Sequence, residues 1–353
     1  ALILSGVQYG LPVSDATIAG SVAALKDKGV ETNDIFVEHL DLVRFDNPAR
    51  HAALASLLRE KFARRNIGLV IAQNQWAMDF LAQHGDQLLP PSLPVLSTLV
   101  ATPPVAWHGA PRHVLNVINQ YDVAGTLRHG LALFPRTRRL VLVAGADNQQ
   151  PVFHVRAATE LATLRNQVEL EDTVALPYDE MLKRISTLPP DSLVLLGTYF
   201  KDLTGRNFIP AEVAAAVARR ANAPVLGLYD VHIQAGLTGG SVVLPTAVGR
   251  RAGEIGFDLL SGARLPDAGD AGISVPPQPM FDWTQLERWG ADASKLPPDT
   301  IFINRPRTLW GDYRSYVIAT SGAILLLSAL LLALLQQNRR RLRAEQALRE
   351  HQQ

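Results

Sequence analysis

Along residues 1–262 the chain alternates two hydrophobic patterns. Short apolar runs read as strands buried on both faces: ALILSG at the start, IGLVIAQN, LPVLSTLV, RRLVLVAG, DSLVLLG and APVLGL. Between them lie segments with helical spacing, among them ATIAGSVAALKDKG, PARHAALASLLREKFARRN, DVAGTLRHGLALF, PAEVAAAVARRAN and TAVGRRAGEIGFDLLSG. Pro48 opens the second of these, where a missing N–H costs nothing. Strands alternating with helices predict parallel sheets covered on both faces. About nine such strands exceed what one doubly wound domain usually carries, so two three-layer lobes are expected. The crossovers between them are placed near 116–121 and 239–243, with Gly239 and Gly240 read as a turn at the second.

The pattern changes after residue 262. Pro266, Pro276, Pro277 and Pro279 mark an extended stretch, and FDWTQLERWG is a short amphipathic helix carrying Trp283 and Trp289. From Tyr316 to Leu335 there is no charge and no proline. A helix over that run would be about 30 Å long, the thickness of a bilayer's hydrocarbon core. Its polar members, Thr320, Ser321 and Ser328, can bond back to helix carbonyls. Arg339, Arg340, Arg341 and Arg343 follow, which by the positive-inside rule makes this end cytoplasmic. Trp310, Tyr313 and Tyr316 would form the aromatic belt at the outer interface. The remaining RRRLRAEQALREHQQ is rich in helix formers. Ahead of Ala1, a cleaved signal peptide or a first membrane helix is expected.

Composition narrows the function. The formal net charge is +1 over 353 residues, which leaves no electrostatic footprint for nucleic acid. There is no cysteine, so disulfides, thiolate metal sites and cysteine nucleophiles are excluded. The phosphate-binding, dinucleotide-binding, serine-hydrolase and zinc-protease motifs are absent, and neither a cofactor nor catalysis is expected. His108 and His113 share a loop, but the intervening GAPR points to irregular backbone and not to a metal pair.

In open parallel sheets ligands bind beyond the carboxyl ends of the strands. The residues just after each strand are therefore the candidates: Gln8 and Tyr9, Gln73, Asn74 and Trp76, Asp147 and Asn148, Tyr199, Phe200 and Asp202, and Tyr229 and Asp230. Aromatic rings supply stacking area, and amides and carboxylates supply orienting hydrogen bonds. Any one of them can instead cap a helix or turn, as Asp147 and Asp230 could.

The stretch from LVLLGTYFKD to GARLPD resembles the second half of ABC-transporter substrate-binding-like proteins of the type I periplasmic-binding-protein fold. The ending, FDWTQLERWGADASKLPPDTIFINRPRTLWGDYRSYVI before an apolar helix and RRRLRAE, resembles the membrane-proximal region of bacterial sensor histidine kinases that carry such a domain. The resemblance implies an α/β, two-lobed type I periplasmic-binding-protein fold over 1–275, a connector over 276–315, a transmembrane helix over 316–335 and a cytoplasmic linker helix over 336–353. It further implies a periplasmic sensor on the bacterial inner membrane. An amino acid or other small metabolite would bind between the lobes, and a homodimer would pass the signal to a kinase. GTYFKD departs from the pattern usual in soluble relatives, which puts the ligand class in doubt. The alternatives are the same sensor on a diguanylate cyclase or chemotaxis output, and a membrane-tethered substrate-binding protein of a transporter.

Overall fold

The computed structural model describes residues 1–100, 113–146, 151–164, 167–263, 272–306 and 313–350. These fall into two units, Ala1–Asn304 and Arg305–Gln353.

The first unit holds two sheets. One contains β1 (Leu2–Ser5), β2 (Phe36–His39), β3 (Val70–Gln73), β4 (Val95–Thr98), β5 (Val114–Asn119) and β11 (Ile273–Val275), in the order β11-β5-β4-β3-β1-β2. Every pairing in it is parallel. Helices α1 (Pro12–Asp27), α2 (Pro48–Phe62), α3 (Asn74–Leu88) and α9 (Pro245–Leu260) belong with this sheet. The other contains β6 (Arg139–Val143), β7 (Glu169–Asp172), β8 (Ser192–Leu196), β9 (Val225–Gly227), β10 (Gly239–Val242), β12 (Gln278–Asp282) and β13 (Ile301–Ile303). Its order is β13-β12-β10-β9-β8-β6-β7, with the β10–β12 pair antiparallel. With it lie α4 (Val123–Leu133), α5 (Pro151–Thr163), α6 (Tyr178–Ile185), α7 (Pro210–Arg220), α8 (Asp230–Gln234) and α10 (Trp283–Arg288). The chain passes between the sheets three times: after β5, after β10 and after β11.

The period of two along each strand explains the layers. Leu2, Leu4, Val70 and Ala72 join one buried cluster with residues of α2 and α3, while Ile3 and Ile71 turn to the opposite face. In the second sheet Val141, Val143 and Val194 pack with α6 and α7, whereas Leu140, Leu142 and Leu195 turn the other way. Those opposite faces of both sheets share one continuous cluster. Both faces are apolar because both are covered, as the unbroken hydrophobic runs implied.

Three readings change. Gly239 and Gly240 are not a turn but open β10, and the crossover comes after that strand. Gly239 pairs with Phe281 at a φ of 155°, and a Cβ there would overlap the Phe281 ring, so only glycine lets β10 and β12 approach. Residues 278–303, read as connector, instead supply β12, α10 and β13 to the second sheet. Phe281, Leu286 and Leu296 bury a small core there with Leu133. Residues 116–119, placed in the first crossover, belong to β5.

The second unit is described from Arg314 as one helix, α11 (Arg314–Glu350). It is long and apolar enough to span a membrane. Its leucines from Leu325 to Leu335 are exposed. Trp310 lies outside the described residues.

Candidate functional site

The carboxyl ends of strands from both sheets converge on one cavity. From the first sheet come Val7 after β1, Leu11–Ser14 entering α1, Asn74 and Trp76 opening α3, and Leu99 after β4. From the second come Thr198 and Phe200 after β8, Pro210 and Ala211 opening α7, and Tyr229, Val231 and His232 around α8. Tyr121, on the first crossover, completes the wall. The strand order reverses between β1 and β3 in one sheet and between β6 and β8 in the other. Those are the switch points at which open α/β sheets leave a crevice. The cavity measures about 60 Å3, room for a few waters, so a larger ligand needs the lobes to part.

Local backbone shapes the wall. Asn74 and Leu99 adopt left-handed φ values of 68° and 55°, which β-carbon-bearing residues adopt at a cost. Gly6 has the complementary role: a Cβ there would lie 2.7 Å from Ala77 N and Trp76 Cβ, so its absence lets the start of α3 lie against β1. Asn74 is buried, and its Oδ1 accepts from Ala77 N at 3.3 Å. Its Nδ2 is buried without a partner, as are Thr198 Oγ1 and His232 Nδ1. Gln73 lies beneath, donating Nε2 to Ser14 O at 2.8 Å and leaving Oε1 unpartnered.

Two aromatic pairs frame the space. The Tyr121 and Tyr229 hydroxyls are 2.6 Å apart, and burial pushes the Tyr229 phenol well above its ordinary pKa, with Tyr121 adding to the shift. Trp76 and Phe200, from opposite sheets, meet edge to face at 5.4 Å. These two also line a separate outer hollow of about 360 Å3 with Asp46 and Lys201, so they stand between the cavity and that hollow. His232 has its pKa lowered to about 4 by burial and is neutral near pH 7.

Of the sequence candidates, Asn74, Trp76, Phe200 and Tyr229 line the cavity, and Asp202 does not. Gln73 supports it from below. Tyr9 is 78% exposed against His39, and neither it nor Gln8 is part of the lining. Tyr199 turns into the second lobe's core beside Tyr178 and Phe208, where burial and the nearby Asp202 charge push its pKa up to about 12. Asp230 flanks the lining, its Oδ1 accepting from Val231 N, and burial raises its pKa. Asp147 and Asn148 lie outside the described residues, as does His108. Sequence reasoning missed Thr198, His232 and Tyr121. Thr198 is the direct neighbour of the chosen Tyr199, and strand alternation was the signal that separates them.

No family model matches the chain, and no curated protein matches it. Solved structures do. A conserved domain protein from Vibrio cholerae aligns at 14% identity and a TM-score of 0.61, over 86% of this chain and 98% of that one. An ABC domain from Streptococcus pneumonia, solved in complex with L-Trp, gives 12% and 0.62 over 86% and 99%. A ligand-free, open substrate-binding protein from Clostridium difficile gives 16% and 0.59 over 86% and 99%. The fold is that of the type I periplasmic-binding proteins. Two largely parallel sheets joined by three crossovers, with the cavity at the facing strand ends, make up that fold here.

Proposed function

We propose that residues 1–304 form an extracytoplasmic receptor for a small molecule held between the two sheets, and that α11 anchors it in the inner membrane and carries the signal across. The carrying observation is the set of buried, unpartnered polar atoms from both sides of one cavity: Asn74 Nδ2 from the first sheet, Thr198 Oγ1 and His232 Nδ1 from the second. An unsatisfied buried polar group costs about 1–3 kcal/mol, and a ligand bonding to both sides removes that cost only when the lobes are together. Binding therefore favours closure through differential affinity for the closed state. The arginine cluster after the span supports a cytoplasmic C-terminal side. The membrane-proximal likeness to sensor histidine kinases supports a kinase as output and a dimer as the working form.

A membrane-tethered substrate-binding protein feeding a permease is the second reading, favoured by the substrate-binding protein among the similar structures. The two differ at the far end of α11, where a receptor needs a signalling domain and a tether needs none. A metabolite library screened by thermal shift tests the binding proposal. At least one compound should raise the Tm of the parent and not that of Thr198→Val. If no compound raises the parent's Tm, or all active ones act equally on the variant, the cavity is not the binding site.

A further inference from the structure

The lining of the cavity restricts the charge its ligand can carry. Three helices present their first turns to it: α1 through Pro12, Val13 and Ser14, α3 through Asn74 and Trp76, and α7 through Pro210 and Ala211. The residues preceding α1, α3 and α7 make no side-chain cap, although in the first turn of α3 Asn74 Oδ1 already accepts from Ala77 N. First-turn N–H groups lack intrahelical partners, and the dipole makes such ends favourable to negative charge. Helix ends alone would not define a site. Asn74 supplies an independent observation, since it is 7% exposed and its Nδ2, a donor with nothing else to do, is buried at the opening of α3. Thr198, 6% exposed, adds a hydroxyl from the facing sheet that can donate to the same group.

Against this surplus of donors, the described lining holds no Asp, Glu, Lys or Arg. After β8 the lining residues are Thr198 and Phe200, and Phe200 meets Trp76. The two tyrosines, Ser14 and His232 are its other polar members, and Val7, Leu11 and Leu99 are among the apolar ones. Among the described lining residues a buried ammonium would find no counter-charge, since Asp15 and Asp230 adjoin lining residues in the chain but are not part of the lining, and burying an unpaired charge is among the costliest steps in binding.

Resting on the reading of this cavity as a ligand site, we infer that it takes a small carboxylate with an aromatic or branched apolar body and no ammonium group, and that it discriminates against the corresponding α-amino acid. The carboxylate sits at the openings of α1 and α3 on Asn74 Nδ2, and the apolar body lies against Trp76, Phe200 and Tyr121.

Matched pairs of compounds test this directly. 3-Phenylpropionate differs from phenylalanine, and 4-methylpentanoate from leucine, only in the ammonium. Calorimetry on the full chain in lipid nanodiscs should show at least one acid binding tenfold or more tighter than its amino acid. 3-Phenylpropylamine should not bind. Asn74→Asp, which places a negative charge at the same point, should abolish acid binding, and Asn74→Ala should weaken it about tenfold. Either amino acid binding as tightly as its acid overturns the inference while leaving cavity binding intact. So does binding of the amine, or full acid affinity in Asn74→Asp. Failure of both acids also overturns it, and the metabolite screen then judges independently whether the cavity binds anything. Parent-like circular dichroism qualifies each variant, and the comparison of acid, amino acid and amine on the parent needs no variant.

Discussion

Asp202 lies two residues beyond Phe200 and holds the loop that presents it. The carboxylate is 5% exposed and accepts four hydrogen bonds. Three go to Oδ1, from Thr204 N at 2.9 Å, Thr204 Oγ1 at 2.6 Å and Arg206 N at 3.1 Å. The fourth goes to Oδ2, from Tyr178 N at 3.3 Å. Hydrogen bonds to a charged acceptor are worth roughly 1.5–3 kcal/mol each, but they are not additive, and the exposed residues 203–206 can rehydrate their freed N–H groups. Asp202→Ala should therefore cost about 2–4 kcal/mol. Asp202→Asn keeps the Oδ1 acceptor and sets an NH2 against Tyr178 N, so it should cost only about 1 kcal/mol. Urea unfolding followed by circular dichroism reads both. Burial raises the Asp202 pKa, but the bonds from Thr204, Tyr178 and Arg206 outweigh it and hold the carboxyl below its ordinary 3.8. A depressed carboxyl contributes stability above its unfolded pKa and loses it as pH falls through the folded value. The gap between parent and Asp202→Asn should be constant above about pH 5 and narrow below about pH 4. Equal losses in the two variants, or losses below about 0.5 kcal/mol in both, would refute the assignment of Asp202 as the anchor of this loop.

Other consequences are open to test. His232 has a folded pKa of about 4 against an ordinary 6.5, so the unfolded chain takes its proton first as pH falls. Its neutral burial should cost up to about 3 kcal/mol of stability between pH 6.5 and 4, and in His232→Gln that slope should flatten. Gly239→Ala forces a Cβ onto the buried Phe281 ring and should lose about 2–4 kcal/mol in urea titrations, where a neutral result would deny the close β10–β12 contact. Reporter fusions at Ser294 and Gln352 should be active outside and inside respectively, and a cytoplasmic reporter active at Ser294 would invert the topology.

Much of the fold was legible because doubly buried strands are continuous apolar runs that no surface helix imitates. The strands that escaped notice lack that property. β5 mixes Asn116 and Asn119 among its aliphatics, β10 opens on two glycines, and β12 and β13 are three to five residues long and gain stability only from partners distant in sequence. At the site, the strand-end rule led to the right loops and then misjudged the face. Thr198 and Phe200 point into the cavity, while Tyr199 between them points into the core, as a period of two requires. Tyr229 and Asp230 were candidates together, and it is Tyr229 that lines the cavity and reaches Tyr121, while Asp230 only flanks it. After Val7 the chain leaves the cavity rim, which a one-dimensional reading of Gln8 and Tyr9 had no means of seeing.

The central claim is that a small molecule occupies the cavity between the sheets. Native mass spectrometry of the full chain in nanodiscs, equilibrated with a metabolite extract and freed of unbound solutes, tests it most directly when set beside Ala211→Trp, whose indole would fill the cavity. The expected result is one added small-molecule mass per chain in the parent and none in the folded variant. A parent that carries no added mass, or a variant that carries the same one, would contradict the account.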